Sequence, residues 1–438
     1  MENTVKYFTL KLAAAATLSA ALSSAAVAGG FMLTEQSVAG LGRAYAGAGI
    51  VGDDLSAVWY NPAGMSLLSG TAVQMGAVMA DLDLPVTTES GEKENGRKHG
   101  VPVPNMYIVH QIKDDMWFGF GITVPYGMAT EYNPDWKLSD KGMNAEVKTF
   151  DFNPNIAVKL TDTLSFGAGV SLQYVTAQFE STGAIYAPGT TTKIGQTKIR
   201  LNADGWAWGG NLGFMWQPTE TVRVGLAYRS QVNHKADGYL KTTININVPA
   251  AGVHNKYYKS QDGHAEMSGP HTVTLTGTWK ATEALRLSGL VRWANWSSFD
   301  KLPISGSSLE SATANLGAAN TTDKVEAEYH WKDSWLFTVG ADYDINEQVT
   351  VRGGVGYEIS PVDDDKYRSA TIPDTDRLWL SVGATWHVNK QLQGDFGLAY
   401  LRGIGNKGLY NEKTGKKLGE FDRLDAILWG AQFVYKFD

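Results

Sequence analysis

The sequence predicts an all-β protein: a transmembrane antiparallel β-barrel of about 14 strands, with its N-terminal segment inside the lumen. Three observations lead to this prediction. Apolar and polar residues alternate through much of the chain, short polar turns recur between the alternating segments, and no segment after the N-terminal one has 18 consecutive apolar residues. Because a bilayer cannot pair backbone groups, a sheet that crosses it must close on itself.

Alternation with period two places apolar side chains on one face of each predicted strand. In residues 221–228, for example, Val222, Val224 and Leu226 share a face opposite Arg223. The same pattern occurs at 285–293, 349–358 and 377–388. The face opposite the apolar stripe is expected to point into the lumen, and its arginines are Arg223, Arg229, Arg286, Arg292, Arg352 and Arg377.

Short turns on one side and long loops on the other distinguish a barrel from a two-sheet sandwich. Short polar turns are predicted at 113–115, 161–163, 218–220, 281–283, 345–347 and 389–390. If both chain ends lie on the side of these turns, seven hairpins stand on the other side, which gives about 14 strands. The long loops are predicted at 84–101, 126–145, 181–199, 239–263, 300–324, 361–372 and 403–419.

Composition excludes several classes of protein. The chain has 438 residues and no Cys, which excludes a disulfide framework, a thiolate metal site and a Cys nucleophile. A formal charge of -7 argues against nucleic acid as a partner. The eight His are scattered without metal-ligand spacing, so we expect no metal, no cofactor and no enzymatic activity, although a barrel hydrolase is not excluded by such a survey alone.

Residues 1–28 have the pattern of a signal peptide. Lys6 and Lys11 precede an apolar run, and the small residues Ala26-Val27-Ala28 follow it. Cleavage is therefore expected before Gly29, and the protein is expected in the outer membrane of a Gram-negative bacterium. A retained membrane anchor is the alternative.

Residues 29–69, which we call the hatch, lack strand alternation. The hatch is rich in Gly and contains paired acids, Asp53 and Asp54, followed by Asn61-Pro62-Ala63-Gly64. Irregular backbone and carboxylates cannot face lipid. The hatch must therefore lie in the periplasm or inside the barrel formed by residues 70–438, and the interior position is the prediction.

Several motifs resemble a known family. In the hatch they are Phe31 to Ser37, Gly40 to Gly47, and Asp54 leading to Asn61-Pro62-Ala63-Gly64-Met65. Later ones are Tyr126 to Tyr132, Tyr228-Arg229-Ser230, Ser360-Pro361-Val362 and Ile372 to Trp379. Together they resemble the long-chain fatty acid outer-membrane transporters (FadL/TodX type), over the whole chain after the signal peptide.

The resemblance implies a hatch-closed barrel that captures hydrophobic substrate between its outer loops. Substrate would then pass to a pocket against the hatch and leave sideways through a kink in the third strand. That strand spans 116–126 here and contains Gly119, Gly121 and Pro125, any of which can interrupt pairing. Without the resemblance, an ordinary Gly-rich strand would be the preferred interpretation.

The other candidate site residues fall into three groups. Arg229 and Arg292 are candidates for binding a carboxylate headgroup, the alternative being that they pair with lumenal acids. Ile244, Ile246 and Val248 form an apolar patch in a predicted loop that could bind a hydrophobic ligand or pack on a neighbouring loop. Candidates for hatch contacts and gating are Phe31, Glu35, Arg43, Asp53, Asp54, Asn61, Pro62, Ala63, Asp376 and Arg377.

The predicted function is uptake of hydrophobic compounds, foremost long-chain fatty acids. Neutral aromatic hydrocarbons are the alternative substrate, and a general porin is the alternative protein class. The expected partners are the hydrophobic substrate and outer-membrane lipid, including lipopolysaccharide. A monomer is expected, although a subunit contact and a lipid-facing wall look alike in a barrel sequence.

Overall fold

The computed structural model describes residues 29–96, 100–133, 135–186, 193–248, 253–310, 323–411 and 414–437. The predicted signal peptide lies outside these residues. Within them, no helix combines the length and apolar character needed to cross a membrane.

The main sheet is a closed antiparallel barrel of 14 spanning strands, as predicted. Closure occurs between the first and last strands, where Ala72 pairs with Lys436 and Asp83 with Asp425. Nine spans are single strands: β1 (Thr71–Asp83), β4 (Val101–Lys113), β7 (Asn144–Lys159), β8 (Leu164–Tyr186), β9 (Lys193–Trp216), β18 (Val349–Ile359), β19 (Asp376–His387), β20 (Leu392–Ile404) and β23 (Asp425–Lys436).

Five spans are interrupted, and each consists of two consecutive strands. The third span is β5 (Met116–Thr123) with β6 (Gly127–Glu131). The others are β10 (Val222–Arg229) with β11 (Asn233–Val248), β12 (Val253–Ser268) with β13 (Thr272–Lys280), β14 (Leu285–Ala294) with β15 (Lys301–Ser305), and β16 (Lys324–Glu328) with β17 (Ser334–Asp344).

The faces of the strands follow the predicted alternation. In β19, Leu378, Leu380 and Val382 are exposed on the outside, whereas Arg377 and Trp379 are buried inside. Exposed apolar and aromatic side chains continue around the outer wall, as a lipid-facing surface requires.

Side chains close the short turns by accepting hydrogen bonds from the start of the next strand. Thr161, Thr219 and Thr282 each accept from the backbone N–H three residues later, at 3.0, 3.1 and 3.0 Å. Asn346 and Asn389 do the same with Val349 and Leu392, at 2.9 and 2.8 Å. Thr and Asn satisfy backbone donors locally in this way, so the turns stay short.

The loop side is more ordered than predicted. Residues 181–199 and 239–263, predicted as loops, belong largely to β8, β9, β11 and β12, whose hairpins extend past the neighbouring strands. A separate four-stranded sheet of β2 (Pro85–Thr88), β3 (Lys93–Asn95), β21 (Gly408–Tyr410) and β22 (Lys417–Phe421) joins the first and last loops on that side.

Candidate functional site

The hatch lies in the lumen as three short helical turns joined by tight loops. They are α1 (Val38–Leu41), α2 (Ala57–Tyr60) and the 3₁₀ helix Pro62–Leu67. Ser37 caps α1 by accepting from the Gly40 N–H at 2.8 Å, and Asn61 caps the 3₁₀ helix by accepting from the Ala63 N–H at 3.1 Å. Pro62 at the first helical position needs no hydrogen-bond partner, so the motif Asn61-Pro62-Ala63-Gly64 starts a helix.

Glycines of the wall are the places where the hatch backbone meets the barrel. A Cβ atom at Gly354 of β18 would lie 2.3 Å from the carbonyl carbon and oxygen of Arg43, and one at Gly213 of β9 would lie 2.1 Å from Asn61 Oδ1. Asn61 also donates from Nδ2 to the Phe214 carbonyl of β9 at 2.9 Å. Glycine in these strands therefore makes room for the hatch.

A buried charge cluster holds the middle of the hatch. Arg43 pairs with Asp53 at 2.6 Å and with Asp342 of β17 at 3.3 Å, and Arg352 of β18 also contacts Asp342 at 3.3 Å. Burial acts to raise the pKa of Asp53, but Arg43 and Arg352 together hold it well below its usual range. The predicted contacts of Arg43 and Asp53 thus join the hatch to two strands.

Asp54 belongs to a second polar group that reaches the last strand. It accepts hydrogen bonds from Ser37 and from the Ser56 N–H, the latter at 3.1 Å. Gln432 of β23 donates to Asp54 at 3.3 Å and accepts from the Val38 N–H at 2.7 Å. The Gln432 side chain of the last strand thereby binds both the first residue of α1 and Asp54.

The third span is broken at Val124, Pro125 and Tyr126, between β5 and β6. β4 pairs with β5 only from Met106 onward, and no pairing joins β4 to β6 in the described part of the chain. The wall therefore has a gap beside residues 101–105 of β4.

The first residues of the hatch satisfy the backbone of this break. The Leu33 N–H donates to the Pro125 carbonyl at 2.8 Å, and the Gly127 N–H donates to the Phe31 carbonyl at 2.9 Å. The Gln36 amide accepts from the Val124 N–H at 3.2 Å and donates to its carbonyl at 2.7 Å. The hatch thus supplies the partners that a neighbouring strand would otherwise supply.

The predicted position of the kink is corrected by these contacts. Pro125 lies in the break, but Gly119 and Gly121 lie inside the continuous pairing of β5 with β4 and β7. A Cβ atom at Gly119 would lie 2.3 Å from the Met65 sulfur. Its role is thus close packing of the hatch, which a sequence cannot distinguish from a bulge.

An inner cavity of about 50 Å³ brings Arg229 and Arg292 together between the hatch and the break. Leu33, Trp59 and Pro125 also line it. The Arg229 guanidinium lies 3.4 Å from the centre of the Trp59 ring and donates to the Trp59 carbonyl at 2.8 Å. Both arginines also have acidic partners, as the alternative prediction held.

Arg292 connects the cavity to the start of the hatch. It donates to Thr34 Oγ1 at 3.0 Å and lies 3.6 Å from Glu358 of β18. Phe31 lies nearby in an aromatic cluster whose ring centres are 4.6 Å apart for Trp296, 5.2 Å for Phe299 and 5.9 Å for Tyr126.

Arg377 and Asp376 were both predicted to contact the hatch, but they have separate partners. Arg377 pairs with Asp374 and lies 3.5 Å from Glu358, and these two acids accept hydrogen bonds from the hatch. Asp376 instead accepts from Tyr357 at 2.9 Å and from the Ser360 N–H at 2.9 Å, away from the hatch. Adjacent residues of a strand point to opposite faces, which separates the two.

Glu35 is fully buried, and its carboxylate oxygens make no hydrogen bond within the geometric limits that the other contacts meet. Burial, and less strongly the nearby Glu358, raises the pKa of Glu35 to about 7, while the backbone N–H groups of Thr34 and Glu35 and the charge of Arg292 oppose the rise. Glu35 thus has polar neighbours but no strong partner, and its part in gating stays a prediction.

An outer cavity of about 320 Å³ opens between the loops. Its apolar lining includes Leu138, Phe179, Ile199, Leu302 and Leu409, and the basic residues Lys141, Lys366 and Arg368 also border it.

Of the predicted patch Ile244, Ile246 and Val248, the side chains of Ile246 and Val248 lie outside the described residues, and Ile244 does not border this cavity. All three residues belong to β11, and the Ile244 side chain is buried. The alternation at 244–248 was itself a strand signal.

Sequence reasoning missed Gln36, Trp59, Glu358 and Asp374. Alternation places Glu358 on the same lumenal face of β18 as Arg352, because the two are separated by an even number of residues, but it does not mark Glu358 as a hatch contact. Nothing local marks the other three as hatch contacts.

A closed lipid-facing barrel, a lumen occupied by its own N-terminal segment and cavities on the route to a gap in the wall define an outer-membrane transport barrel. The chain belongs to the family described as outer membrane protein transport protein (OMPP1/FadL/TodX), whose model matches residues 19–437. This match confirms the resemblance seen in the motifs and the outer-membrane location.

Individual relatives extend over nearly the full chain. A long-chain fatty acid transport protein of Escherichia coli O6:H1 is 30% identical and aligns over 95% of this chain and 96% of its own. Outer membrane protein P1 of Haemophilus influenzae is also 30% identical, with 91% of each chain covered.

Solved structures share the fold. A FadL homologue of Pseudomonas aeruginosa matches with a TM-score of 0.79 at 22% identity, covering 93% of this chain and all of the other. The toluene transporter TodX of P. putida matches with a TM-score of 0.69 at 17% identity, covering 87% and 94%.

Proposed function

We propose that this protein takes up long-chain fatty acids across the outer membrane without any chemical step. The observation that carries the proposal is the pair of guanidinium groups, Arg229 and Arg292, in one cavity beside the gap in the third span. A guanidinium group in a water-poor site binds a carboxylate strongly, whereas a hydrocarbon gains nothing from it. The full-length relatives named for fatty acid transport support the same substrate.

The outer cavity suits the first encounter. At about 320 Å³ it is at the lower end of typical small-molecule pockets, and its apolar lining can bury part of an acyl chain. Each buried methylene contributes about 0.8 kcal/mol, so a long chain binds without specific polar contacts. Three acidic residues, Glu180, Glu326 and Glu328, border the cavity beside its three basic ones, so apolar burial and not charge is what this cavity offers an acyl chain.

The inner cavity requires the hatch to move. At about 50 Å³ it has room for one or two waters, each occupying about 30 Å³ in the liquid, and not for an acyl chain. We therefore propose that residues 31–36 of the hatch withdraw from the break when substrate arrives. Their withdrawal would open the cavity and the gap together, and the substrate would leave sideways into the membrane.

Uptake of neutral aromatic hydrocarbons is the second candidate. The observation in its favour is the aromatic cluster of Phe31, Tyr126, Trp296 and Phe299 next to the break, which could stack on an aromatic ligand. A general porin is disfavoured because the hatch fills the lumen. We also propose that the protein is a monomer and that its outer wall contacts membrane lipid and lipopolysaccharide.

Binding to the purified protein in detergent separates these functions. We expect saturable binding of oleate, weaker binding of oleyl alcohol, and little binding of toluene. Arg292→Gln should reduce the preference for oleate over oleyl alcohol by about tenfold, the value of one charge-assisted hydrogen bond. Arg402→Gln, at an exposed position of β20, is the matched control.

Three outcomes would contradict the proposal. Equal affinity for oleate and oleyl alcohol in the wild-type protein would remove the role of the arginines. Tight binding of toluene alone would favour the second candidate. Large steady conductance in a planar bilayer without ligand binding would favour a porin.

A further inference from the structure

The first two residues of the hatch direct their backbone nitrogens at buried carboxylates. The Gly29 nitrogen lies 3.0 Å from Glu358 Oε1, and the Gly30 nitrogen lies 2.9 Å from Asp374 Oδ2. Glu358 and Asp374 are each 1% exposed. If cleavage makes Gly29 the first residue, the new chain end lies against a buried acid, whereas chain termini commonly lie at the surface.

Buried charges surround the Gly29 nitrogen. The carboxyl groups of Glu358 and Asp374 neighbour the guanidinium groups of Arg292 and Arg377, and the buried carboxyl group of Glu35 lies close to Glu358. Buried charges are normally paired, since an isolated one is costly. A positive charge on the Gly29 nitrogen would pair with Glu358 directly and would favour the ionised form of Glu35.

Removal of residues 1–28 would create such a charge at the right atom. The Gly29 nitrogen is an amide while Ala28 is attached and becomes a primary α-amine once that bond is cut. An α-amine has a pKa of about 8 and is therefore mostly protonated at neutral pH. Its ammonium group can then donate to a carboxylate with full charge assistance.

We propose that Glu358 binds the chain's own α-ammonium group, at Gly29 of the processed protein, while Asp374 binds the amide of the next residue, Gly30. The site makes correct seating of the hatch depend on processing, because only the cleaved chain carries the charge that fits the cluster. Cleavage before Gly29 is the sequence prediction on which the inference rests. The substrate plays no part in it.

The space around the two glycines is limited. A Cβ atom at Gly29 would lie 3.0 Å from Glu358 Oε1, and one at Gly30 would lie 2.7 Å from the Trp331 ring. Gly30 also has a φ of 69°, which disfavours other residues. A side chain at either position would displace the nitrogen from its acid.

Chemical labelling of the α-amine tests the proposal directly. Intact-mass analysis of the protein isolated from outer membranes first establishes the N-terminal residue. The folded protein in detergent is then treated near neutral pH with an amine-reactive ester, and peptides are quantified by mass spectrometry. Lys113, exposed in a short turn, serves as an internal reference for reagent access.

We expect the mature chain to begin at Gly29 and its α-amine to react at least tenfold more slowly in the folded than in the unfolded protein. Glu358→Gln should accelerate labelling of the folded protein about tenfold, whereas Glu347→Gln, at an exposed turn, should leave it unchanged. Gly29→Ala retains every charge and should also accelerate labelling.

The proposal is overturned if the mature chain begins at another residue, or if the α-amine reacts equally fast in folded and unfolded protein. It is also overturned if labelling of folded Glu358→Gln equals that of the wild type. Should Glu358→Gln fail to fold, the wild-type protein and Gly29→Ala still decide the question.

Discussion

The middle of the hatch and residues 31–36 are held in the barrel by different kinds of contact. The middle, around Arg43, is fixed by buried ion pairs and by wall glycines that leave no spare space. Residues 31–36 are held by a few hydrogen bonds to a broken span, beside the buried acid Glu35. The first kind of contact is costly to break, and the second is easily rearranged. We therefore expect residues 31–36 to move while the middle stays.

Removing the Arg43 charge should have the largest effect on this difference. Arg43→Met removes one of the two arginines that pair with Asp53 and Asp342, and losing one member of a buried ion pair costs about 3 to 5 kcal/mol. Hydrogen exchange of residues 38–60 should rise at least a hundredfold, and steady conductance should appear in bilayers. Arg402→Met is the control. Unchanged exchange would show that the ion pairs do not fix the middle of the hatch.

The middle of the hatch and residues 31–36 should respond to pH in opposite directions. The pKa of Asp53 lies below its usual value, so the stability that it provides is present above about pH 4 and is lost as the pH falls further. The pKa of Glu35 is raised from 4.5 to about 7, so the folded hatch retains a proton that the unfolded hatch releases. Its stability therefore falls as the pH rises through that window, by about 3 kcal/mol.

Hydrogen exchange of residues 31–36 at pH 5 and 8, corrected for intrinsic rates, measures this effect. Glu35→Gln should abolish the pH dependence at this end and leave residues 38–60 as in the wild type. The ammonium group inferred at Gly29 would lower the pKa of Glu35 in the folded hatch. The stability would still fall as the pH rises, but over a narrower range of pH. Exchange that falls with rising pH in the wild type would contradict the assignment to Glu35.

Filling the space at a wall glycine should loosen the middle to a smaller degree. Gly354→Ala would place a methyl group 2.3 Å from the Arg43 backbone, and overpacking of this kind costs about 2 kcal/mol. Gly394→Ala in β20 meets its nearest neighbour at 3.7 Å and is the matched control. Thermal unfolding in detergent should separate the two variants; equal stability would mean that the hatch shifts readily.

The smallest expected effect lies at the break itself. Gln36→Met removes the partner of the Val124 N–H and carbonyl, which costs about 1.5 kcal/mol, or roughly tenfold in exchange of residues 120–130. Gln217→Met, in a short turn, is the control. Faster oleate uptake in Gln36→Met would agree with a gate at this position, whereas slower exchange would contradict it.

Much of the barrel could be predicted from the sequence because its rules are local. Alternation in β10, β14, β18 and β19 reports directly which face meets lipid, and the Thr and Asn turns mark where strands reverse. The hatch followed from the same rule, since a segment without alternation cannot line the wall.

The site was less predictable because it depends on what the hatch touches. Gly119 and Pro125 look alike as strand breakers, yet one accommodates Met65 and the other lies in the gap. The partner of Arg377 is Asp374 in a loop and not the adjacent Asp376, a choice that depends on side-chain direction and loop path. Only tertiary contacts decide such cases.

The hydrogen bonds from Gln432 to α1 and Asp54 also constrain the order of folding. The Val38 N–H and its acceptor in β23 are 394 residues apart in the chain, and β23 is also the strand that closes the sheet against β1. Contacts of such sequence separation form late, because loop-closure entropy must be overcome first. The hatch can thus complete its contacts only when β23 pairs with β1. Closure of the barrel and docking of the hatch are therefore one folding step.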